Sequence, residues 1–234
     1  MEDEGKMHRR RHRSLAFLLI SLLSIASLHA SSSANETISI DASSTVGTIK
    51  RLNDVGNGPL CQHGVVDLSR YYKELGIRNV RLHDVPWSYD DVLDIEYVFP
   101  DWKADPDRPE NYNFTQSDYY VKTITDLGTN IIFRLGYSAE GRTSVPHNAP
   151  PLSYDKWANI AAHIARHYNQ GWANGLHANI RYWEIWNEPD IPSFWSGTPE
   201  QYYRLYEATA KALKAVDPSL QVGGPAMAGS LPFF

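Results

Sequence analysis

Apolar residues recur every three or four positions in four segments of the chain, and this spacing is the period of an amphipathic helix. The pattern predicts helices over residues 67–75, 117–127, 153–168 and 198–216. Ser153 and Thr198 stand at the starts of two segments, where a side-chain oxygen caps the first turn. Glycines that suit left-handed helix ends follow three of the segments, at Gly76, Gly128 and Gly171.

Short runs rich in β-branched and aromatic residues separate the helical segments. They predict an opening strand within residues 48–55 and later strands at 79–83, 130–135, 179–186 and 220–223. Alternating strands and helices indicate βαβ units and a parallel sheet, either doubly wound or closed as a (β/α)8 barrel. Cys61 stands where the third glycine of a dinucleotide-binding loop would follow Gly56 and Gly58, so the pattern favours the barrel.

Polar side chains collect where the predicted strands end. They are Arg81, His83, Arg134, Tyr137, Asn187 and Glu188. In a (β/α)8 barrel the carboxyl ends of the strands form the active site, so these residues predict a catalytic face. The long, Asp-rich connection over residues 84–113 belongs to the same end and is predicted to form a wall of that site.

Composition and charge exclude several classes of protein. The chain has 234 residues, of which 42% are hydrophobic and 21% charged, as in a globular protein. A formal net charge of −5 argues against nucleic acid as a partner, and a single cysteine excludes a disulfide scaffold. His163 and His167 have a zinc-like spacing, but Ile164 stands where a metalloprotease has glutamate. We therefore expect no metal or other cofactor, and both histidines on a solvated helix face.

The N-terminus has the pattern of a secretory signal. A basic segment, a short apolar stretch and small residues predict a signal peptide over residues 1–30, with an uncleaved signal anchor as the alternative. Residues 31–47 are then a linker, and residues 48–234 form the barrel domain. The sequons at Asn35 and Asn113 suit a glycoprotein. The expected location is outside the cell or in the lumen of the secretory pathway.

The chemistry is concentrated in the run Trp183-Glu-Ile-Trp-Asn-Glu-Pro-Asp190 at the end of the fourth predicted strand. Together with Phe194-Trp195 and Val222-Gly-Gly-Pro225, this run resembles glycoside hydrolase family 39, which contains β-xylosidases and α-L-iduronidases. The resemblance covers roughly residues 48–230. It implies a retaining hydrolase of O-glycosides on a (β/α)8 barrel, with a xyloside-type or uronide-type carbohydrate as substrate. We favour a β-xyloside.

The resemblance also implies roles for individual residues. Glu188 corresponds to the general acid/base, Asn187 and His83 to contacts with sugar hydroxyls, and Arg81 to a residue that steadies the nucleophile. A retaining mechanism needs a second carboxylate about 5–5.5 Å from the first. In the family this is a glutamate at the end of strand seven, whereas a full barrel takes about 250 residues and only five strands are predicted here. We therefore expect a chain truncated after about strand five, with its nucleophile beyond residue 234.

Glu184 lies on the fourth strand itself, four residues before Glu188. A buried carboxylate must be paired, because an isolated buried charge is very costly. We predict a supporting role for Glu184, in which it faces the barrel interior and pairs with either Arg81 or Arg134.

Three aromatic residues surround the motif, namely Trp186, Phe194 and Trp195. They predict a surface on which a sugar stacks, and Trp186 is the favoured binding residue among them. Packing beneath the loop after the fourth strand is the alternative for each.

Three hypotheses about function remain open from the sequence. The first is a secreted retaining glycosidase. The second is a catalytically inactive sugar-binding or interaction remnant of a glycosidase barrel. The third is an unrelated barrel enzyme that carries the Asn-Glu-Pro sequence by chance.

Overall fold

The computed structural model describes residues 38–85, 92–138 and 148–229. The predicted signal peptide lies outside these ranges. Contacts divide the chain into two units, residues 1–50 and 51–234. The described part of the first unit, residues 38–50, is exposed and holds no helix or strand. In the described ranges, no helix combines the length and the apolar character that crossing a bilayer requires.

Seven short strands lie in the described residues of the second unit. They are β1 (Val55–Gly56), β2 (Leu60–Cys61), β3 (Val66–Asp67), β4 (Asn79–Leu82), β5 (Asn130–Leu135), β6 (Tyr182–Ile185) and β7 (Gln221–Gly223). Five of them form one parallel sheet in the order β1-β4-β5-β6-β7, so the predicted parallel α/β arrangement is confirmed. The strands β2 and β3 form a separate antiparallel pair, which the sequence pattern did not reveal.

Within the ranges that the structure describes, five α-helices connect or flank the strands. They are α1 (Ser69–Leu75), α2 (Ile95–Val98), α3 (Thr115–Thr125), α4 (Tyr154–Gln170) and α5 (Pro199–Val216). The four predicted helices correspond to α1, α3, α4 and α5. Ser153 accepts a hydrogen bond from the backbone N–H of Lys156 at 3.2 Å, and Thr198 forms a reciprocal capping box with Gln201. Gly171 ends α4 with a left-handed φ of 72°. These caps were predicted correctly because they depend on neighbouring residues alone.

The hydrophobic core lies between the sheet and the long helices. Alternate residues of the three central strands are buried in it, namely Val80, Leu82, Ile131, Phe133, Leu135, Trp183 and Ile185. The helix α4 adds Trp157, Ile160, Ile164 and Tyr168, and α5 adds Tyr202, Leu205 and Leu213. Because side chains alternate along a strand, the residues between these core positions project from the opposite face of the sheet.

The two histidines of α4 correct one prediction. His163 and His167 are buried, with 5% and 1% of their surface exposed, and do not lie on a solvated face. His167 stacks on Phe114 with ring centroids 3.4 Å apart, and its Nε2 lies 2.7 Å from Asp118 Oδ1. The ring of His163 packs 4.4 Å from that of Trp172. The prediction failed because the segments around Phe114 and Trp172 cover α4 on its polar side.

Candidate active site

Polar side chains from three neighbouring strands lie at one level of the sheet, on the face opposite the core. Arg134 of β5 is paired in register with Glu184 of β6. Leu82 is paired with Phe133, so the next residue of the chain, His83, stands level with Arg134. Residues at one level of a parallel sheet point to the same side. The register therefore brings His83, Arg134 and Glu184 together at the carboxyl ends of the strands.

Arg81 connects two residues of the motif. Its Nε donates to Glu184 Oε2 at 2.6 Å, and its Nη2 donates to Asn187 Oδ1 at 2.7 Å. Of the two arginines considered as partners for Glu184, Arg81 makes the ion pair. Because the carbonyl oxygen of Asn187 is held by Arg81, the side-chain amide has a fixed orientation. Its buried Nδ2 has no hydrogen-bond acceptor in the part of the chain that the structure describes, so it is available to a ligand oxygen.

The backbone turns sharply where β6 ends. Trp186 and Glu188 have left-handed φ angles of 71° and 46°. Such angles cost about 1–3 kcal/mol each in residues with side chains, and they cluster at functional sites. Two backbone hydrogen bonds hold the turn, from Trp186 to the carbonyl of Leu135 at 2.7 Å and from Glu188 to that of Ala226 at 3.1 Å. The turn leaves the half-buried Glu188 beside Asn187 at the end of the strand.

His83 is held in its neutral form. Burial is the main cause that lowers its pKa to about 4, the positive charges of Arg134 and Arg81 lower it further, and Asp84 opposes them. Its Nε2 lies 3.4 Å from Asp84 Oδ2, and its backbone N–H donates to Asn57 Oδ1 at 3.0 Å. The buried Nδ1 has no hydrogen-bond partner within the described ranges.

This pKa predicts that acid destabilises the fold. Between pH 6.5 and about 4 the unfolded chain binds a proton at His83 and the folded chain does not, so the free energy of unfolding falls as the pH falls. We expect the free energy of unfolding to fall by about 2 kcal/mol less between pH 7.5 and pH 4.5 in His83→Asn than in the natural sequence. This value allows for the partial exposure of the ring. Urea denaturation at pH 7.5 and pH 4.5 measures it. His63→Asn, at an exposed histidine, is the control. An equal fall in the free energy of unfolding in both variants would contradict the prediction.

The structure corrects the prediction that Trp186 stacks on a sugar. Trp186 is only 2% exposed, and the rings of Tyr137 and Trp195 pack against it edge-on at 5.2 and 5.0 Å. Its Nε1 donates to the carbonyl of Phe194 at 3.0 Å. Trp186 and Trp195 therefore support the loop from beneath, which was the alternative. Phe194 alone of the three is half-buried, with its ring 6.3 Å from that of His83.

Sequence reasoning missed the carboxylates that organise Arg134 and Tyr137. Arg134 Nη2 donates to Asp94 Oδ1 and to Ser138 Oγ, both at 2.9 Å, and Ser138 N donates to Asp94 Oδ2 at 2.7 Å. The hydroxyl of Tyr137 donates to Glu96 Oε1 at 2.8 Å, and burial, followed by the charge of Glu96, raises the pKa of Tyr137 well above 10. The only signal was the long connection after β4, part of which lies outside the described residues.

No cluster of three or more side chains that could bind a metal ion exists among the described residues. The groups that the structure places at the strand ends are carboxylates, an amide, an imidazole and guanidinium groups. A half-buried carboxylate beside an oriented amide can exchange a proton with a ligand that the amide holds.

A comparison with protein families identifies the family of this chain. The family model described as "Glycosyl hydrolases family 39" matches residues 32–233. The chain belongs to this family. The β-xylosidase of Geobacillus stearothermophilus, a curated relative, is 32% identical over 168 residues, which are 67% of this chain and 32% of that protein. Human α-L-iduronidase is 29% identical over 154 residues, which are 64% of this chain and 21% of that enzyme.

Solved structures support the fold of this family 39 chain. The crystal structure of a glucosidase from Croceicoccus marinus is 33% identical, with a TM-score of 0.66, and the match covers 78% of this chain and 38% of the glucosidase. The chain thus spans about a fifth to two fifths of the length of these relatives. The prediction of a family 39 α/β chain with the first five strands of a (β/α)8 barrel is confirmed.

Proposed function

We propose that the protein is a retaining O-glycoside hydrolase of the β-xylosidase type, with Glu188 as the general acid/base. One observation carries the proposal. Glu188 stands at the end of β6 next to Asn187, whose amide is oriented by Arg81 and keeps a buried N–H group without an acceptor among the described residues. The carboxyl group can protonate the leaving oxygen of a glycoside, and the free N–H group can donate to a sugar hydroxyl.

In the proposed mechanism Glu188 first protonates the oxygen of the leaving group. A second carboxylate attacks the anomeric carbon and forms a covalent glycosyl-enzyme as the leaving group departs. Water then hydrolyses this intermediate, and Glu188, now a carboxylate, accepts a proton from the attacking water. Asn187 Nδ2 donates to the 2-hydroxyl of the sugar, a bond that strengthens in the transition state. Arg81 supplies positive charge beside the attacking carboxylate. We place that carboxylate on a later strand, beyond residue 234.

The relatives support a β-xyloside as the substrate. Two β-xylosidases, from Geobacillus stearothermophilus and Caldicellulosiruptor saccharolyticus, are 32% and 31% identical to the chain, and human α-L-iduronidase is 29% identical. The solved glucosidase of Croceicoccus marinus makes a glucoside the second substrate to test.

An assay of the full-length gene product tests the proposal. We expect turnover of an aryl β-xyloside above that of an aryl β-glucoside or α-L-iduronide, with β-xylose as the first product seen by proton NMR. A first product of inverted configuration would contradict the retaining mechanism. Binding of xylosides in calorimetry without any turnover would instead favour the inactive sugar-binding remnant.

We further propose that residues 1–30 direct the protein into the secretory pathway. Asn113, in the second sequon, has an exposed side chain and is accessible to a glycosyltransferase. Expression in a eukaryotic host should give a mature N-terminus after residue 30, read by mass spectrometry. A mass shift on deglycosylation should disappear in part in Asn113→Gln and persist in the control Asn111→Gln. An intracellular product that retains residues 1–30 would overturn the proposal.

A further inference from the structure

Arg134 has hydrogen-bond donors that the fold does not use. The residue is 2% exposed, and its Nη2 already donates to Asp94 and Ser138. Its Nε and Nη1 are buried and have no acceptor in the described part of the chain. Buried donors are rarely left without a partner, because each one loses its hydrogen bonds to water. A ligand oxygen that accepts from them would satisfy these donors.

Arg134 lies at the proposed active site. Arg134 stands level with His83 and Glu184, at the ends of strands and on the face opposite the core. Two other buried polar atoms without a described partner lie at the same end of the sheet, His83 Nδ1 and Asn187 Nδ2. Asp94 and Ser138 fix the guanidinium, so its unused donors keep one direction.

The charges around Arg134 distinguish two kinds of ligand oxygen. Asp94 lies 2.9 Å from Nη2 and balances the positive charge, which removes the main attraction for an anion. Asp84, 3.4 Å from Nε2 of His83, favours the tautomer with its proton on Nε2, which leaves Nδ1 as an acceptor. A hydroxyl can accept from Arg134 and donate to His83, whereas a carboxylate has no proton for His83.

We propose that Arg134 is a substrate-binding residue that donates, through Nε or Nη1, to one ring hydroxyl of the sugar, and that the same hydroxyl donates to His83 Nδ1. The inference rests on the proposed glycosidase function and narrows it to neutral pyranosides in preference to uronides.

Binding measurements on deoxy sugars test this pair. The full-length protein carries Glu188→Gln, so that ligands are not consumed, and calorimetry gives Kd for methyl β-D-xylopyranoside and its 2-, 3- and 4-deoxy analogues. Arg134→Lys retains a cation for Asp94 but removes the extra donors. We expect it to weaken binding about tenfold for the parent glycoside and for two analogues, and to leave unchanged the analogue that lacks the bound hydroxyl. Arg108→Lys, at an exposed arginine, is the control.

Each other outcome counts against the inference in a different way. Equal weakening of all four ligands, or of none, overturns the hydroxyl contact while the glycosidase function stands. Tighter binding of methyl β-D-glucuronide than of the xyloside overturns the preference for neutral sugars. Failure of the protein with Arg134 intact to bind any of these glycosides contradicts the proposed function itself.

A second measurement covers the case in which Arg134→Lys does not fold. A crystal structure of the protein with Arg134 intact and with the xyloside bound should place a hydroxyl oxygen within hydrogen-bond distance of Nε or Nη1. A bound sugar with no hydroxyl there would overturn the inference.

Discussion

Replacement of Glu188 by glutamine is expected to slow the cleavage of glycosides with poor leaving groups by about 10²–10⁴-fold, because the leaving oxygen then departs without a proton. Activated aryl glycosides need little protonation, so their kcat/KM should change far less. The measurement is kcat/KM of the full-length enzyme for xylobiose and for 2,4-dinitrophenyl β-xyloside. The contrast between the two substrates identifies an acid more specifically than a loss of activity does.

The second role of Glu188, as a base, is tested in the same variant. Deglycosylation should limit kcat with the activated substrate, and added azide should restore kcat because it attacks the glycosyl-enzyme without a base. Glu110→Gln, at an exposed carboxylate, should leave both substrates unaffected and serves as the matched control. Equal slowing of both substrates, with no rescue by azide, would assign the acid/base role to another residue.

The sequence predicted those parts of the fold that depend on neighbouring residues. Helix periods, the caps at Ser153 and Thr198, and the extent of β5 follow from spacings of two to four residues. The apolar stripe of α1 shows the limit of this reasoning. Leu68, which precedes the helix, and Leu75 at its end are 37% and 66% exposed. An apolar face predicts that a partner surface exists but does not say where it lies.

The contacts of the site could be predicted only in part, because they join residues far apart in the chain. Register places Arg134, not Arg81, level with Glu184, yet Arg81 makes the ion pair. The reason is that the guanidinium of Arg134 is paired with Asp94, which lies 40 positions earlier in the chain. No local pattern connects Asp94 to β5, so the sequence left both arginines as candidates. The strand-end positions were predictable, and the pairing among them was not.

Removal of Arg81 should affect stability and catalysis separately. In Arg81→Met the carboxylate of Glu184, whose side chain is 15% exposed, loses its cation, and Asn187 loses the donor that orients it. We expect the free energy of unfolding to fall by about 1–3 kcal/mol, a modest amount because Arg81 is itself partly exposed. We expect kcat to fall about 10²-fold. Urea denaturation and steady-state kinetics on a β-xyloside measure the two effects.

The double variant Arg81→Met/Glu184→Met decides whether the two effects are independent. Replacing both charges with apolar side chains of similar volume should restore most of the stability, because no unpaired carboxylate remains. Activity should stay low, since nothing then holds the amide of Asn187. The exposed pair Arg70 and Glu74 is the control, and its double Met variant should change stability by less than about 1 kcal/mol. Recovery of activity together with stability would mean that Arg81 supports the fold and does not position Asn187.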